Sequence, residues 1–453
     1  MLLLARPLKI VQKFIYNTVP DISDFNTQKE ASEAVKNLPL NYTDNPKPSA
    51  YNYFQDGKTL HAVYNTLYCS MAFLSDHEWA VLHNTQTGDE TVLKKLFAAG
   101  FMVPKETDEF AQLQKYRMTY YRFIAKESSL SLIIPTTTKC NARCAYCFQD
   151  NAGRADILPG VEEDIKKFVN KNIGQDKKLT ITWFGGEPLL NTGLIDRLSN
   201  YFLQQGYEFT SDIPTNGSLL TEAILKENFP KWHIKGMQIT LDGTAENYAR
   251  IKNYVAPELG KLERILENID LADKYKIRTH IRLNVNKDNI DDLLVLAKQL
   301  NERYASSEYV TWYSAHLQGT AADFHSDEEF LEMVERFSPL QAKSPWKISN
   351  VRKPPKINFC MAERPGSYCI EPNGDLKICF ESITNNLNDI GNIRDFDPQT
   401  DQRREPSSLH SQCEKCVWLP LCGGGCMYRR SKGLWGCSLD KFRTMHYLKK
   451  LTE

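Results

Sequence analysis

The sequence lacks an excess of charge of either sign. Its 453 residues contain 56 lysine and arginine residues and the same number, 56, of aspartate and glutamate residues. Binding to nucleic acid or to acidic lipid surfaces depends on a positive field, so this balance argues against both kinds of partner. With 42% hydrophobic residues, the chain has enough apolar material for the cores of two or three domains.

A long uncharged hydrophobic run is also missing. No stretch approaches the roughly 18 apolar residues that a membrane helix requires. The opening MLLLARPLKIVQKFIYNTV is interrupted by Arg6, Lys9 and Lys13, and it has neither a charged region before its leucines nor a small-residue cleavage site. We therefore expect a cytoplasmic protein that is neither exported nor held in a membrane.

Cysteine is scarce outside two clusters. Of the 12 cysteines, three lie at positions 140 to 147 and eight at positions 360 to 437, which leaves Cys69 alone as an ordinary buried cysteine. Gaps of two, three and five residues are typical of metal ligands rather than of disulfides. Such thiols also agree with the reducing environment of the cytosol.

The stretch TTTKCNARCAYCFQD carries the first cluster. Cys140, Cys144 and Cys147 follow an apolar run, residues 130–135, that the pattern predicts to be a buried strand. Three thiolates at this spacing can hold three corners of a 4Fe-4S cluster and leave the fourth iron open to a small molecule. A chance pattern or a zinc site is the alternative, although zinc needs a fourth ligand and only Asp150 follows closely.

Two further features carry a resemblance. Tyr146 precedes the third cysteine, Phe148 follows it, and Gly185, Gly186, Glu187 and Pro188 form a GGEP motif at the end of the next predicted strand. Together they resemble the signature of the radical S-adenosylmethionine (radical SAM) superfamily, CxxxCxΦC with Φ aromatic. The resemblance implies that SAM chelates the open iron and that the GGEP turn presents carbonyls and Glu187 to its amino group. An ordinary structural turn is the alternative.

The same resemblance implies roles for single polar residues at later strand ends. Thr240 would contact the ribose, Asp242 would face the substrate cavity as a catalytic residue, and Arg250 would meet the SAM carboxylate. Asn216 and Asn284 would line the cofactor site. A lone polar residue near a strand end is also often solvated or a helix cap.

Residues 127–340 alternate regularly between strand and helix patterns. Six βα repeats indicate a parallel sheet with right-handed crossovers, which agrees with the partial (β/α)6 barrel of the radical SAM core. Active residues are then expected at the carboxyl ends of the strands.

The region before this core is predicted in two parts. Residues 1–55 receive no function. Residues 56–126 show short strands (HAVYNTL, SMAFLS, FMVP) and short helices (DHEWAVLHN, ETVLKKLFAAG), which resemble the winged-helix precursor-recognition element of peptide-modifying enzymes. That resemblance implies a leader peptide added as a strand to a sheet edge. A packing cap on the core is the alternative.

Residues 341–453 hold the second cysteine cluster and resemble a SPASM domain with two auxiliary 4Fe-4S clusters. A zinc ribbon would explain the CxxC pair alone. By analogy with that family, the first auxiliary cluster has the ligands Cys360, Cys369, Cys379 and Cys426. The second has Cys413, Cys416, Cys422 and Cys437. If Cys369, whose spacing varies among relatives, were not a ligand, the first auxiliary cluster would have an open iron.

The architecture as a whole resembles maturases of ribosomally made peptides. It implies a cytoplasmic oxidoreductase with SAM and three 4Fe-4S clusters, supplied with electrons by a flavodoxin- or ferredoxin-type reductant. The enzyme would abstract a hydrogen atom from a precursor peptide with a leader and form a thioether or carbon–carbon crosslink. One alternative is an anaerobic sulfatase-maturating enzyme, in which an Asp base directly follows the hairpin cysteine; here Phe380 follows Cys379. Another is an Fe–S electron carrier or redox scaffold, which would not need an open iron.

Overall fold

The computed structural model describes the chain from residue 45 onward, with gaps. The described residues are 45–56, 61–83, 89–126, 129–149, 154–317, 327–340, 360–383, 389–398, 401, 403, 409, 411–431 and 439–452. The predictions for residues 1–44, 341–359 and Cys437 lie outside them. Within the described residues, no helix is long and apolar enough to cross a membrane.

The chain divides into two compact units. The sheet unit comprises Glu127–Ile348 and Arg364–Arg404. The terminal unit comprises Met1–Lys126, Ser349–Glu363 and Glu405–Glu453. Of the residues predicted to form the C-terminal domain, 364–404 group with the large sheet and 405–453 with the terminal unit.

The sheet unit is built on six consecutive parallel strands. They are β6 (Leu130–Thr137), β7 (Lys178–Gly185), β8 (Glu208–Thr215), β9 (Ile234–Leu241), β10 (Arg278–Val285) and β11 (Val310–His316). They pair in sequence order, each parallel to the next. This confirms the predicted α/β class with a parallel sheet.

Helices connect these strands. They are α4 (Val161–Asn172), α5 (Thr192–Gln204), α6 (Phe229–Lys231), which continues a π-helical turn at Ile224–Asn228, α7 (Ala245–Lys252), α8 (Leu262–Lys274), α9 (Ile290–Arg303) and α10 (Asp327–Glu335). Each long helix buries one apolar stripe; in α4 the buried residues are Val161, Ile165, Phe168 and Val169. Strand β6 contributes Leu130, Leu132 and Ile134 to the buried core of this unit.

Three strands from the cysteine-rich part of the chain extend the sheet beyond β6. β12 (Ser367–Ile370) runs parallel to β6, and β13 (Asp375–Lys377) and β14 (Asp389–Asn392) continue in antiparallel pairs. The turn between β12 and β13 is a hairpin with Gly374 at a φ of +92°. That conformation favours glycine.

Among the described residues, the N-terminal part of the terminal unit contains two small antiparallel sheets and three helices. Its strands are β1 (Pro46–Pro48), β2 (Asn52–Asp56), β3 (His61–Asn65), β4 (Ser70–Leu74) and β5 (Met102–Pro104). Its helices are α1 (Asp76–His83), α2 (Glu90–Ala98) and α3 (Glu109–Lys126). The three-stranded sheet has the order β2-β3-β4, so the HAVYN segment is its central strand and the edges are β2 and β4.

The C-terminal part of the same unit packs on this N-terminal part. It contains α11 (Ser411–Glu414), α12 (Leu419–Cys422), α13 (Met427–Ser431) and α14 (Leu439–Thr452). The rings of Tyr53 and Trp418 are 4.6 Å apart, and Arg117 donates to the Gly423 carbonyl at 3.2 Å. Residues predicted to belong to two domains therefore share one core.

Candidate active site

The three cysteines of the first cluster lie in the loop that follows β6, at the carboxyl end of the sheet. Cys140, Cys144 and Cys147 all line one small cavity, of about 40 Å³, together with Gly186 from the end of β7. Burial raises the pKa of the Cys140 thiol to about 11. Among the described residues, no three His, Cys, Asp or Glu side chains are close enough to hold a single metal ion. The thiols instead surround a shared cavity.

The glycine pair at the end of β7 is pressed against this loop. The Gly186 N–H donates to the Thr137 carbonyl and the Glu187 N–H to the Lys139 carbonyl, both at 2.9 Å. A Cβ on Gly186 would collide with the backbone carbonyl of Lys139, and Gly185 has a φ of +123°. The two glycines are therefore required by the close approach of two backbone segments, beside any role toward a ligand.

Glu187 ties β7 to β8. Its buried carboxylate accepts hydrogen bonds from the Thr215 hydroxyl at 2.7 Å and from the N–H groups of Asn216 at 2.8 Å and Leu189 at 3.1 Å. Burial raises the pKa of Glu187, and these donors oppose that rise. An ionised carboxylate can accept about four hydrogen bonds, so one position remains for a further donor. Pro188 is buried behind the turn and accepts from the Thr136 hydroxyl at 3.1 Å.

Asn216 joins the end of β8 to the cysteine loop. Its side-chain amide donates to the Asn141 side-chain oxygen at 2.7 Å, and the Asn141 amide donates to the Ser218 hydroxyl at 2.9 Å. Asn141 is adjacent to Cys140. The first three strand ends of the sheet are therefore connected to the loop by hydrogen bonds.

A buried group of three polar side chains lies on the other side of the loop. The Tyr146 hydroxyl donates to Asp242 Oδ2 at 2.7 Å, and the Lys252 ammonium lies 3.0 Å from that hydroxyl and 2.8 Å from the same carboxylate oxygen. The Arg143 N–H donates to the Lys252 carbonyl at 2.9 Å. Asp242 Oδ1, although buried, has no hydrogen-bond partner among the described residues.

Lys252 was missed by the sequence reasoning, which named Arg250 two residues earlier. Arg250 is exposed on α7 and donates to the Asn247 side chain at 2.9 Å. Residues two apart on a helix point in different directions, so only one of these cations could face inward. The signal in the sequence was the position of Lys252 at the end of the helix after Asp242, but no local pattern distinguishes it from a surface lysine.

The remaining predicted cofactor residues vary in burial. Thr240 is half-buried on β9, in register with Arg282 of β10. Asn284 is buried and accepts from Arg282 Nε at 2.8 Å. Phe148 is 45% exposed. Their roles toward SAM stay predictions.

The C-terminal cysteines are divided between the two units. Cys369 lies in β12 and Cys379 follows β13 in the sheet unit, and both are buried. Burial raises the pKa of Cys369 well above its usual value, and nearby Glu371 and Cys379 raise it further. The two thiols are therefore neighbours in a low-dielectric setting.

The other described cysteines of this group belong to the terminal unit. Cys413 and Cys416 pack against an apolar cluster that includes Tyr51, Leu67 and Tyr68. Cys422 is buried at the end of α12, whereas Cys360 and Cys426 are exposed. The assignment of these cysteines to two auxiliary clusters stays a prediction.

Comparison with known proteins adds an independent observation. Residues 134–300 match the family model of the radical SAM superfamily. The chain is 26% identical over 360 residues to a cysteine-type anaerobic sulfatase-maturating enzyme of Clostridium novyi, covering 67% of this chain and 89% of the relative. It is 24% identical over 213 residues to the radical SAM cyclopropyl synthase TigE of Paramaledivibacter caminithermalis, covering 42% and 41%.

A solved structure has the same fold. Native anSMEcpe with bound AdoMet and the Kp18Cys peptide matches with a TM-score of 0.55 and 17% identity, covering 72% of this chain and 98% of that one. The radical SAM family implies SAM and a 4Fe-4S cluster, and the three thiols around one cavity, with the orphaned Asp242 Oδ1 nearby, fit both groups. Residues 134–300 therefore carry a radical SAM domain, and the chain is similar to radical SAM maturases.

Proposed function

We propose that this protein modifies a ribosomally synthesised precursor peptide, abstracting a hydrogen atom from one residue to form a thioether or carbon–carbon crosslink. The observation that carries the proposal is the cavity lined by Cys140, Cys144 and Cys147 at the carboxyl end of the parallel sheet. When bound there, a reduced cluster and SAM supply the 5′-deoxyadenosyl radical that abstracts hydrogen.

Three buried residues next to the cysteine loop would bind and orient ligands. Glu187 has one acceptor position left for an ammonium group. Lys252 supplies a buried positive charge beside the loop, suited to a carboxylate. Asp242 Oδ1 offers an unused acceptor to a ligand donor. Substrate hydrogen abstraction needs no general base, so these groups bind and orient rather than transfer protons.

The terminal unit supports a peptide as substrate. It presents a three-stranded antiparallel sheet with two edge strands, which is the platform that strand addition requires. β2 is in contact with α14, and its Tyr53 ring packs on Trp418. β4 is the other edge, with Phe73 as its most exposed residue, and we assign the leader to it. The solved relative with the Kp18Cys peptide gives separate support for a peptide ligand.

We also propose that the enzyme holds three 4Fe-4S clusters. The eleven clustered cysteines provide three ligands for the SAM-binding cluster and four for each auxiliary cluster. Auxiliary clusters could accept the electron that the substrate loses when the crosslink closes. A flavodoxin- or ferredoxin-type protein would reduce the first cluster.

Formylglycine formation is the second candidate, favoured by the extent of the match to the sulfatase-maturating relative. The residue after Cys379 argues against formylglycine formation. Phe380 occupies the place where the sulfatase maturases carry an Asp base, and its ring packs on Phe184 with the centroids 5.9 Å apart. No carboxylate can act from that position, although Glu381 follows it.

Mass spectrometry of the reaction product separates these candidates. The anaerobically reconstituted enzyme would be incubated with SAM, a reductant and the peptide encoded beside its gene, and with a cysteine-containing sulfatase peptide. We expect the first peptide to lose two hydrogen atoms and keep its sulfur. Replacement of the cysteine sulfur by a carbonyl oxygen in the sulfatase peptide, with no change in the first, would establish the second candidate instead.

A further inference from the structure

The two faces of the parallel sheet differ in composition. Successive side chains of a strand point to opposite faces. Along β9 and β10, one face carries buried apolar side chains: Met237, Ile239, Leu241, Ile281 and Leu283. The residues between them are polar and half-buried, and they share the other face because they are register partners across the two strands: Gln238 with His280, and Thr240 with Arg282.

This polar face leads to the candidate active site. On β10, Asn284 follows Arg282 by two residues, a rise of about 7 Å toward the carboxyl end of the strand. The Asn284 carbonyl accepts from the side chain of Asn289 at 2.8 Å, and the same side chain donates to the Asp242 carbonyl at 3.3 Å. Arg282 therefore lies just before the end of β10 that is joined to the end of β9.

The guanidinium of Arg282 is held in place but has no anionic partner. Its Nε donates to the Asn284 side-chain oxygen at 2.8 Å, which orients the planar group. Within the part of the chain that the structure describes, its two terminal nitrogens form neither a hydrogen bond nor an ion pair. The carboxylate that follows β9, that of Asp242, is paired with Lys252 instead. Arg282 is half-buried, so a ligand can reach these nitrogens.

The neighbours of Arg282 on the adjacent strands are neutral. Its register partners are Thr240 on β9 and Tyr313 on β11. The Tyr313 hydroxyl donates to the side-chain oxygen of Gln238 at 2.7 Å. Burial raises the pKa of Tyr313, so this phenol is not ionised at neutral pH. Neither neighbour supplies the negative charge that would satisfy the guanidinium.

The other charged residues of this face lie further from the site. Asp212 of β8 and Arg278 of β10 are both register partners of Gly236, at a level four residues before Arg282. Burial lowers the pKa of His280 and Arg278 lowers it further, against the opposing effect of Asp212, so the imidazole is neutral at pH 7. On β10, Arg282 is therefore the positive charge nearest to the candidate active site.

We infer that Arg282 binds a carboxylate of the peptide substrate and is a specificity-determining residue. The inference rests on the proposed function for the peptide that carries this group. A guanidinium presents parallel N–H donors that match the two oxygens of a carboxylate. A carboxylate held there would fix the adjoining part of the peptide beside Asn284, at the carboxyl end of the strand. The carboxylate of SAM has the same chemistry and is the competing occupant.

Binding of two small probes to the oxidised, reconstituted full-length protein tests the inference. The probes are N-acetylglutamate methylamide and its neutral analogue N-acetylglutamine methylamide, compared by isothermal titration calorimetry on protein saturated with SAM. We expect the glutamate probe to bind at least about fivefold more tightly, the size of one partly exposed ion pair. Equal affinities would overturn the inference. A preference that appears only when SAM is left out would assign the guanidinium to the SAM carboxylate and would overturn it as well.

Variants assign the binding to one side chain. Arg282→Gln should reduce the preference for the glutamate probe to less than about twofold. Arg282→Lys keeps the charge but loses the paired donors, so it should retain a smaller preference than the wild type and serves if Arg282→Gln does not fold. A wild-type preference in both variants would overturn the inference.

Arg278→Gln is the matched control. Arg278 is an exposed arginine on the same face of the same strand, about 13 Å nearer its amino end. This variant should bind both probes as the wild type does. A loss of preference equal to that of Arg282→Gln would show a general effect of charge and would overturn the inference.

The outcome is distinguishable from failure of the proposed function. A preference for the glutamate probe in an enzyme that modifies no peptide would overturn the proposed function and leave a carboxylate site. Peptide modification by an enzyme that binds both probes equally would do the reverse.

Discussion

The ammonium of Lys252 lies 2.8 Å from a carboxylate oxygen of Asp242, with side chains only 5% and 1% exposed. Burial by itself lowers the pKa of Lys252, but Asp242 and Tyr146 raise it well above its usual value. A lysine whose pKa is raised in the folded state stays charged until the pH exceeds that raised value. Lys252 therefore stays charged throughout the neutral range.

Replacing only Lys252 should lower the free energy of unfolding far more than replacing both Lys252 and Asp242. Lys252→Met leaves Asp242 buried without its cation, and we expect the free energy of unfolding to fall by about 3 to 5 kcal/mol. The double variant Lys252→Met with Asp242→Leu should recover much of this loss, because it buries no unpaired charge. Urea unfolding measures both.

Arg250→Met is the matched control for this experiment. Arg250 is exposed on the same helix, and its replacement should change stability by less than about 0.5 kcal/mol. A loss as large as that of Lys252→Met would show that charge on the helix, rather than the buried pair, determines stability.

Gly186→Ala should prevent the cysteine loop from closing on the end of β7. Its Cβ would meet the Lys139 backbone carbonyl, which cannot move away as the end of a flexible side chain could. We expect the reconstituted variant to contain about four fewer iron atoms per chain than the wild type, the content of one cluster. Iron analysis measures this loss.

Gly193→Ala is a suitable control, since it changes a glycine of the neighbouring helix α5 where the nearest atom to an added Cβ is the Arg197 side chain at 3.3 Å. Its iron content should equal that of the wild type. A normal iron content in Gly186→Ala would show that the loop tolerates the displacement.

The sequence was sufficient to predict the elements that depend on local pattern. Alternation of apolar residues identified β6 to β11, and the spacing of three cysteines identified the loop after β6. Lys252 could not be recognised, because its burial depends on Asp242 from another element. The division of the C-terminal cysteines between two units could not be predicted from the sequence either, because β12 pairs with β6, whose residues are more than 200 positions away in the chain.

Stability should depend on pH through Glu109. Burial raises the pKa of this carboxyl, against the opposing hydrogen bonds from the Ser49 hydroxyl and the Ala50 N–H. The folded state therefore binds the proton more tightly than the unfolded chain, whose glutamates have a pKa of about 4.3. The free energy of unfolding should fall as the pH rises from that value through the raised pKa, and Glu109 should contribute no further slope above it.

Comparison with Glu109→Gln isolates this contribution. The difference in unfolding free energy between wild type and variant should change across that pH window and become constant above it. Glu106→Gln removes an exposed carboxylate three residues earlier in the chain and should show no comparable slope. Parallel curves for wild type and Glu109→Gln would contradict the expected titration.

Iron content also tests the number of clusters. Anaerobically reconstituted protein should hold about twelve iron atoms per chain, and a variant with Cys140, Cys144 and Cys147 all changed to Ala about eight. The variant should no longer cleave SAM when reduced. Cys69→Ala removes a buried cysteine that lies outside the two cysteine-rich segments, 140–147 and 360–437, and it should leave the iron content unchanged. A wild-type content near four would eliminate the auxiliary clusters.

The β4 edge provides the last test, which concerns the leader peptide. Successive N–H groups of a strand point to opposite sides, so the N–H of one of Ala72 and Phe73 points toward β3 and that of the other points away from it. Proline at the outward position removes one donor and leaves the hydrogen bonds to β3 intact, whereas proline at the inward position removes a hydrogen bond between β4 and β3.

We expect one of the two proline variants to remain folded and to bind the precursor about tenfold more weakly, a loss of about 1.4 kcal/mol in binding free energy. SAM cleavage without peptide should survive in that variant, because the cysteine loop belongs to the other unit. If the folded variant binds and modifies the precursor as the wild type does, the leader does not add to β4, and the N-terminal part of the unit is a packing element instead.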